Sequence, residues 1–268
     1  EFIYTDVEQA YQSTDLALVS RHLIVDPADQ DYDPLRRLLF VAREDGKFLT
    51  LTVYRAEAVA AWTLHETDGA VRSIAVAGDA VWMLIERGGA FSIEQLDDAL
   101  SLDGALSGES TGGASVWSGL DHLEGREVCV IADGVVVGTK TVLSGAITLD
   151  APALSVQVGL PFTHIVEPLP PASGASARRV RLVEATFRLE QTAALRVDFG
   201  QGLRDIPLRE LNSSAPLLDA PAPLVSRDVR VRALGWRQDG SKPLWRIEQD
   251  TPLPFTLLAV AMDIKAGG

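Results

Sequence analysis

Residues 38–55 read LLFVAREDGKFLTLTVYR. Apolar residues gather on both sides of Asp45-Gly46, and in the second arm Phe48, Thr50, Thr52 and Tyr54 alternate with Leu49, Leu51 and Val53. A period of two puts successive side chains on opposite faces of an extended strand. Asp-Gly between two such arms supplies the positive φ angles that a two-residue hairpin turn requires. The stretch therefore reads as a β-hairpin, with Gly46 as a structural turn residue. The layout recurs downstream: AVAAWTLHE and AVRSIAVAG flank Thr67-Asp68-Gly69, and DAVWMLIER and AFSIEQLD flank Gly88-Gly89. Residues 38–102 thus form an antiparallel meander of about six short strands, like a propeller blade with part of another, and Gly69 and Gly89 are further structural turns.

Working outward, residues 1–37 read as a short helix and a loop. Thr14 or Asp15 can cap a helix through Leu16, Val19 and Leu23. VDPADQDYDP, with Pro27 and Pro34, reads as a polar loop. Residues 103–119, DGALSGESTGGASVWSG, are small and polar and read as a linker. Residues 120–169 hold very short strands separated by Gly and Asp turns, Asp133-Gly134 among them, which suggests a small inserted β-barrel or sandwich.

Residues 170–268 open with a second linker, PPASGASA, followed by an alternating strand, RRVRLVEATFRLEQT, with one slip near Val183. The chain closes with DVRVRALGW, PLWRIEQD and PFTLLAVAMDIK, a final antiparallel set with Gly240 in its Asp239-Gly240 turn. Pro252 and Pro254 delay pairing until Phe255. The apolar run Leu257–Met262 predicts a strand buried on both faces. The expected fold class is all-β, with one short N-terminal helix.

Of 268 residues, 47% are hydrophobic and 23% charged, the balance of a folded chain. The net charge is −13. That disfavours a nucleic-acid binder, which needs a basic footprint, although an acidic wall lets DNA pass without sticking. A single cysteine, Cys129, excludes an intramolecular disulfide. No apolar run approaches the roughly 20 residues of a membrane-spanning helix, and no basic-then-apolar leader opens the chain. The first residue is Glu1, as in a fragment of a longer protein.

HLEGREVCVIADG, residues 122–134, brings His122, Cys129, Glu124, Glu127 and Asp133 into one stretch. A cysteine nucleophile needs a histidine in reach and a lowered pKa. Cys129 instead lies in a strand pattern among carboxylates, which work against a thiolate. The four histidines, His22, His65, His122 and His164, have no zinc-ligand spacing. Asp26, Asp29, Asp31 and Asp33 are close together but out of register for an EF-hand, and read as a solvated acidic loop. No G-x-S-x-G elbow occurs. Trp62, Trp82 and Trp245 sit in strand patterns and read as core, whereas Trp117, beside the linker, is the candidate exposed contact aromatic. No catalytic, cofactor or metal residue is assigned, and the protein is not expected to be an enzyme.

The order of several phrases carries a resemblance: AYQSTDLALVSRHLI, then RRLLFVAREDGKFLTLTVYRAEAVAAWTLHETDGAVRSIAV, AVWMLIERGGAFSIEQLD, SGLDHLEGREVCVIADGVVV, GAITLDAPALSVQVGLPF and QDTPLPFTLLAVAMDI. This succession resembles the C-terminal part of the tail nozzle (tail tubular protein B-like) proteins of short-tailed bacteriophages and prophages. Arg178–Ser226 matches only in general character, and family members are much longer. The resemblance implies a non-catalytic virion protein. It implies a homo-oligomeric ring, usually of six subunits, below the portal and adaptor. That ring would form a conduit for DNA ejection, bind no DNA specifically, and contact other tail proteins, fibres and the host surface. It also implies a blade-like platform carrying an inserted β-module. The competing expectation is a carbohydrate-binding or hydrolytic receptor-recognition protein that contacts a glycan through Trp117.

Overall fold

The computed structural model describes residues 2–5, 10–13, 15–18, 20–54, 59–170, 180–208, 221–232 and 242–266. The protein is all-β. Its strands are short where turns are frequent and longer than expected in two places. They divide into two units, Glu1–Ala99 and Leu100–Gly268.

In the first unit β1 (Phe2–Thr5) pairs with β2 (Ala10–Ser13). Next, β3 (Pro27–Asp33), β4 (Leu38–Arg43), β5 (Phe48–Tyr54) and β6 (Val59–His65) form a four-stranded antiparallel sheet in chain order. A three-stranded sheet follows, β7 (Ala70–Ala77), β8 (Ala80–Arg87) and β9 (Ala90–Gln95). The turns lie where the sequence puts them: Gly46, Gly69 and Gly89 all have positive φ. Phe40, Ala42 and Phe48 pack with Val71, Ile74, Val81, Met83 and Ile85 into one core. The apolar halves of the alternating strands supply this core, and their burial drives the unit's folding.

Two expectations fail here. No α-helix forms among the described residues of the N-terminal segment. Ala10–Ser13 is a strand, and residues 20–24 make isolated three-residue turns, with Ser20 N–H donating to Ala17 and Leu23 N–H to Ser20. Asp15 Oδ1 accepts the Ala17 N–H (2.8 Å) and Arg21 reaches back to Oδ2 (2.6 Å). Such local bonds compete with a helical ladder in a segment too short to nucleate one. The second failure is the acidic loop, which is strand β3. Its Asp29 Oδ2 accepts the Ser73 hydroxyl (2.5 Å) and the Ile74 N–H (3.0 Å), and its Asp31 accepts the Val76 N–H (2.7 Å). The carboxylates thus satisfy edge amides of β7 and lace the two sheets together.

In the second unit β10 (Asp103–Ser118), β11 (Glu127–Ala132), β12 (Val135–Thr141) and β13 (Ala146–Leu160) form a sheet of order β10-β13-β11-β12. The expected linker is therefore its longest strand. Small residues do not prevent extension when a partner supplies the hydrogen bonds, and β13 does so from Asp103↔Leu160 to Ser118↔Ala146, with bulges between Glu109 and Val116. Nor are all the sheet's strands very short: AITLDAPALSVQVGL runs unbroken as β13. The sheet stays open, so no closed barrel forms.

Five of the remaining strands are β14 (His164–Val166), β15 (Val180–Thr192), β16 (Arg196–Asp198), β17 (Leu203–Asp205) and β18 (Val225–Arg232). The last two are β19 (Arg246–Gln249) and β20 (Leu257–Ala266). They make two sheets, β14-β19-β16-β17 and β18-β15-β20. Phe187 meets Trp245 edge-on at 5.6 Å in a core with Leu182, Leu189, Val197 and Ile247. A register shift with β20 between Leu182 and Glu184 marks the slip legible at Val183. The strand expected to be buried on both faces, β20, is instead a sheet edge, with Leu258 54% and Met262 41% exposed. A run of apolar letters gives no sign of which neighbours are missing. Gly240 and Trp236 lie outside the described residues, as does most of the second linker.

Candidate functional site: the His122–Gly134 stretch

The stretch runs from a single 3-10 turn, Asp121–Leu123, into β11 and ends in the β11–β12 hairpin. His122, Glu124 and Asp133 all bond backbone groups. His122 Nε2 lies 2.8 Å from the Gly104 carbonyl. A carbonyl only accepts, so Nε2 carries the proton of that bond. Leu123 is buried in the module core with Val128, Val130, Val142 and Ile147. Glu124 Oε1 accepts the Ser144 N–H (3.0 Å) and Oε2 the Gly145 N–H (2.7 Å). Ser144 and Gly145 have φ of 53° and 65°. One carboxylate thus cradles the two amides of a left-handed turn. Gly125, at φ 71°, donates to the Val142 carbonyl.

The far end follows the same logic. Asp133 and Gly134 have φ of 49° and 77°, the pair of positive angles that Asp-Gly adopts cheaply in a hairpin turn. Asp133 Oδ1 accepts the Leu154 and Ser155 amides at 3.0 and 2.8 Å, and the Asp133 N–H donates to the Ser155 carbonyl. A β-carbon on Gly134 would come within 3.2 Å of Pro221 Cγ. Cys129 is 6% exposed, faces Leu102 and Ile131, and pairs in register with Thr139 and Gly159. Burial pushes its thiol pKa up, the direction that suppresses a thiolate.

Trp117, expected as an exposed contact aromatic, is half-buried against the module core. Its indole N–H donates to the Ala114 carbonyl (3.1 Å), and its ring lies so close over Gly108 that a β-carbon there would sit 2.8 Å from it. Both contacts come from within β10 itself, across its irregular stretch between Glu109 and Val116. Sequence adjacency to a Gly/Ser stretch gave no sign of this.

The other reactive candidates disperse. Asp29 and Asp31 point to β7 amides. Asp33 is buried, accepts the Leu35 and Arg36 amides and pairs with the Arg36 guanidinium (2.8 Å), which holds its carboxyl below the usual range. No described group of three or more His, Cys, Asp or Glu side chains gathers as a metal site. His65 stacks on Phe48 at 4.6 Å and bonds Thr50 Oγ1 (2.8 Å). His164 is flanked by Phe162 and Phe255. Trp62 donates to the Leu16 carbonyl (3.0 Å), Trp245 is core, and Trp82 stands on an exposed face.

The residues that sequence reasoning missed are Glu124 and the acceptor role of Asp133. Their partners lie some twenty positions away, and only Asp133-Gly134 carries a local signal. Compared with family models and with curated proteins, the chain matches none.

Beyond this stretch, the described surface also offers exposed apolar side chains. Phe91 is 63% and Ile93 73% exposed on β9, a sheet edge. Register sets Ile93 opposite Leu84 and Gln95 opposite Trp82, so these side chains share one face.

Proposed function

We propose that the chain is a non-catalytic structural protein of a short-tailed phage or prophage tail, part of the nozzle ring through which DNA is ejected. The observation that carries this reading is the exposed apolar face of β7–β9, with Phe91 and Ile93 at its edge. A large apolar patch beside an open strand edge is a surface suited to burial against a neighbour. Two further features support it. The HLEG…ADG stretch, which with the DG-x-L…W meander is most specific for the resemblance, is spent on holding backbone. The acidic balance suits a wall past which DNA slides without specific binding. On this reading the subunits form a ring, with six as the family's usual number, next to adaptor and portal proteins, fibres and at times the host surface.

The partial burial of Trp117 and its engaged indole N–H speak against the glycan-contact alternative. The test is mass spectrometry and electron microscopy of particles from the phage or prophage that encodes the chain. The chain is expected in purified tails, at a copy number consistent with a ring. Absence from the particles would refute the proposal. A specific glycan-array hit abolished by Trp117→Ala would replace it with the receptor-recognition reading.

A further inference from the structure

The two edges of the sheet β7-β8-β9 differ. The Leu96 N–H donates to the Val81 carbonyl (2.9 Å), which makes Val81 and Leu96 a hydrogen-bonded pair. Bonded pairs alternate along an antiparallel ladder. Ala90, Ser92 and Glu94 therefore turn their backbone groups to β8, and Phe91, Ile93 and Gln95 turn theirs outward. On the opposite edge the outward amides of Ile74 and Val76 are taken by the Asp29 and Asp31 carboxylates. The outward groups of β9 have no such cap among the described residues. Proteins commonly blunt an open edge with charge, proline or a bulge. Phe91, Ile93 and Gln95 are uncharged and exposed, and the β8–β9 ladder runs without a shift. The one charge on β9, Glu94, is held by Arg87 (2.9 Å). The sheet has three strands where its companion has four.

An unpaired ribbon lies at the other end of the same unit. β1 and β2 pair with each other and with no third strand among the described residues. A two-stranded ribbon by itself is marginal in water. Neither strand, FIYT or AYQS, carries a charge, and three of their eight residues are aromatic. We infer that the β1–β2 hairpin of a second copy of the chain adds to the β9 edge, lengthening the sheet by strand addition. What selects a second copy is where the hairpin is rooted. Three residues after Ser13, the Leu16 carbonyl accepts the Trp62 indole N–H. Trp62 lies opposite Leu51, on the face of the β3–β6 sheet turned away from Phe48 and from the core shared with β7–β9. A chain's own hairpin therefore starts one whole sheet away from its own β9, about 10 Å through a packed core. Uncharged strand against uncharged edge also leaves nothing for a phosphate backbone to bind. Donor and acceptor are different surfaces, so the contact is head-to-tail and can repeat until a ring closes. The inference deepens the ring reading by naming what the β7–β9 edge takes up, and rests on that reading only for closure.

The dimensions set the conditions of the test. One added strand of about four residues is about 13 Å long, far short of a standard interface, so the contact is weak. Sedimentation velocity of the 268-residue chain should show association at about 100 μM that is lost at about 1 μM. Its affinity should change less than about twofold between about 50 and 500 mM salt, because no charge crosses the contact. Hydrogen exchange over residues 90–95 should slow in the associated state. Ile93→Pro removes an outward N–H and no bond to β8, so it blocks the edge and spares the ladder. Ile93→Lys blocks the same edge by charge. Ile3→Pro with Gln12→Pro breaks the hairpin at a paired position. Each variant alone should stay monomeric. The Ile93→Lys chain mixed with the hairpin variant should give a one-to-one dimer that grows no further, since one supplies only a hairpin and the other only an edge. Far-ultraviolet circular dichroism and thermal melts establish that each variant is folded. A wild-type chain that stays monomeric at about 100 μM overturns the inference. So does association that survives in the hairpin variant, the result expected if two β9 edges pair with each other. Protection of residues 90–95 at about 1 μM, lost in the hairpin variant, overturns it in favour of a chain's own hairpin. Presence of the chain in tails is settled separately by the particle analysis, so either proposal can fail alone.

Discussion

Removing the Asp29 carboxylate tests whether side chains rather than a backbone ladder join β3 to β7. Asp29→Ala deletes the acceptor of the Ser73 hydroxyl and the Ile74 amide. Each bond to a charged acceptor contributes about 1 to 1.5 kcal/mol where water has partial access, so the loss should be about 2 to 3 kcal/mol. Asp31→Ala removes one such bond, to Val76, and should cost about 1 kcal/mol. The pH dependence has a definite sign. The Ser73 hydroxyl and then the Ile74 amide hold the Asp29 carboxyl below its ordinary value of 3.8. The unfolded chain therefore binds the proton first as pH falls. The contribution is complete above about pH 4 and is lost as pH drops through the lower, folded value. Urea unfolding followed by tryptophan fluorescence at pH 7, 5 and 3 should show a constant gap between wild type and Asp29→Ala at the two higher values. The gap should narrow at pH 3. A difference under about 0.5 kcal/mol at pH 7, or a gap that widens in acid, would refute the reasoning.

Three other residues have consequences set by the geometry. Gly134→Val should destabilise the second unit by about 3 kcal/mol, because a β-branched residue is forced to positive φ and crowds Pro221; a denaturation midpoint equal to wild type would contradict this. Cys129→Ser should keep the fold and any self-association at a cost of about 1 to 2 kcal/mol for the buried hydroxyl. The native Cys129 thiol should alkylate far more slowly than the urea-unfolded thiol at pH 8, and rapid native labelling would count against its burial. His164 is desolvated and its pKa lies below 6.5, so the unfolded state binds its proton more readily and stability should fall as pH drops below about 6.5. His164→Phe should flatten that part of the pH profile, as read from denaturation midpoints at pH 5 to 7.

The meander was legible because it repeats a signal with a local cause. Gly46, the glycine of Thr67-Asp68-Gly69 and Gly88-Gly89 supply positive φ, and the arms between them alternate with period two. The slip at Val183 was legible for the same reason, since a bulge leaves its mark on the alternation. What stayed hidden depends on partners remote in sequence. In β3 the Asp residues alternate where apolar residues would be expected, and their purpose appears only when β7 presents its amides. The edge position of β20 depends on which strands do not lie beside it. Within the candidate site, the inertness of Cys129 was legible from its strand pattern and acidic neighbours. The engagement of Glu124 with Ser144 and Gly145 was not, because no local rule links a glutamate to a turn twenty residues on.

The pairing of β10 with β13 bears on how the chain is made. Ser118 must wait for Ala146 and Asp103 for Leu160. That is roughly 30 to 60 residues of further synthesis, a delay of about 1 to 12 s at roughly 5–20 residues per second on the ribosome. For that interval sixteen residues of future strand emerge with no partner. A valine- and isoleucine-rich segment left waiting so long would be prone to pair with the nascent chain of a neighbouring ribosome. Glycine, serine and threonine keep it soluble and slow to commit. The composition that disguised the strand as a linker is what lets its partner arrive before a stranger does.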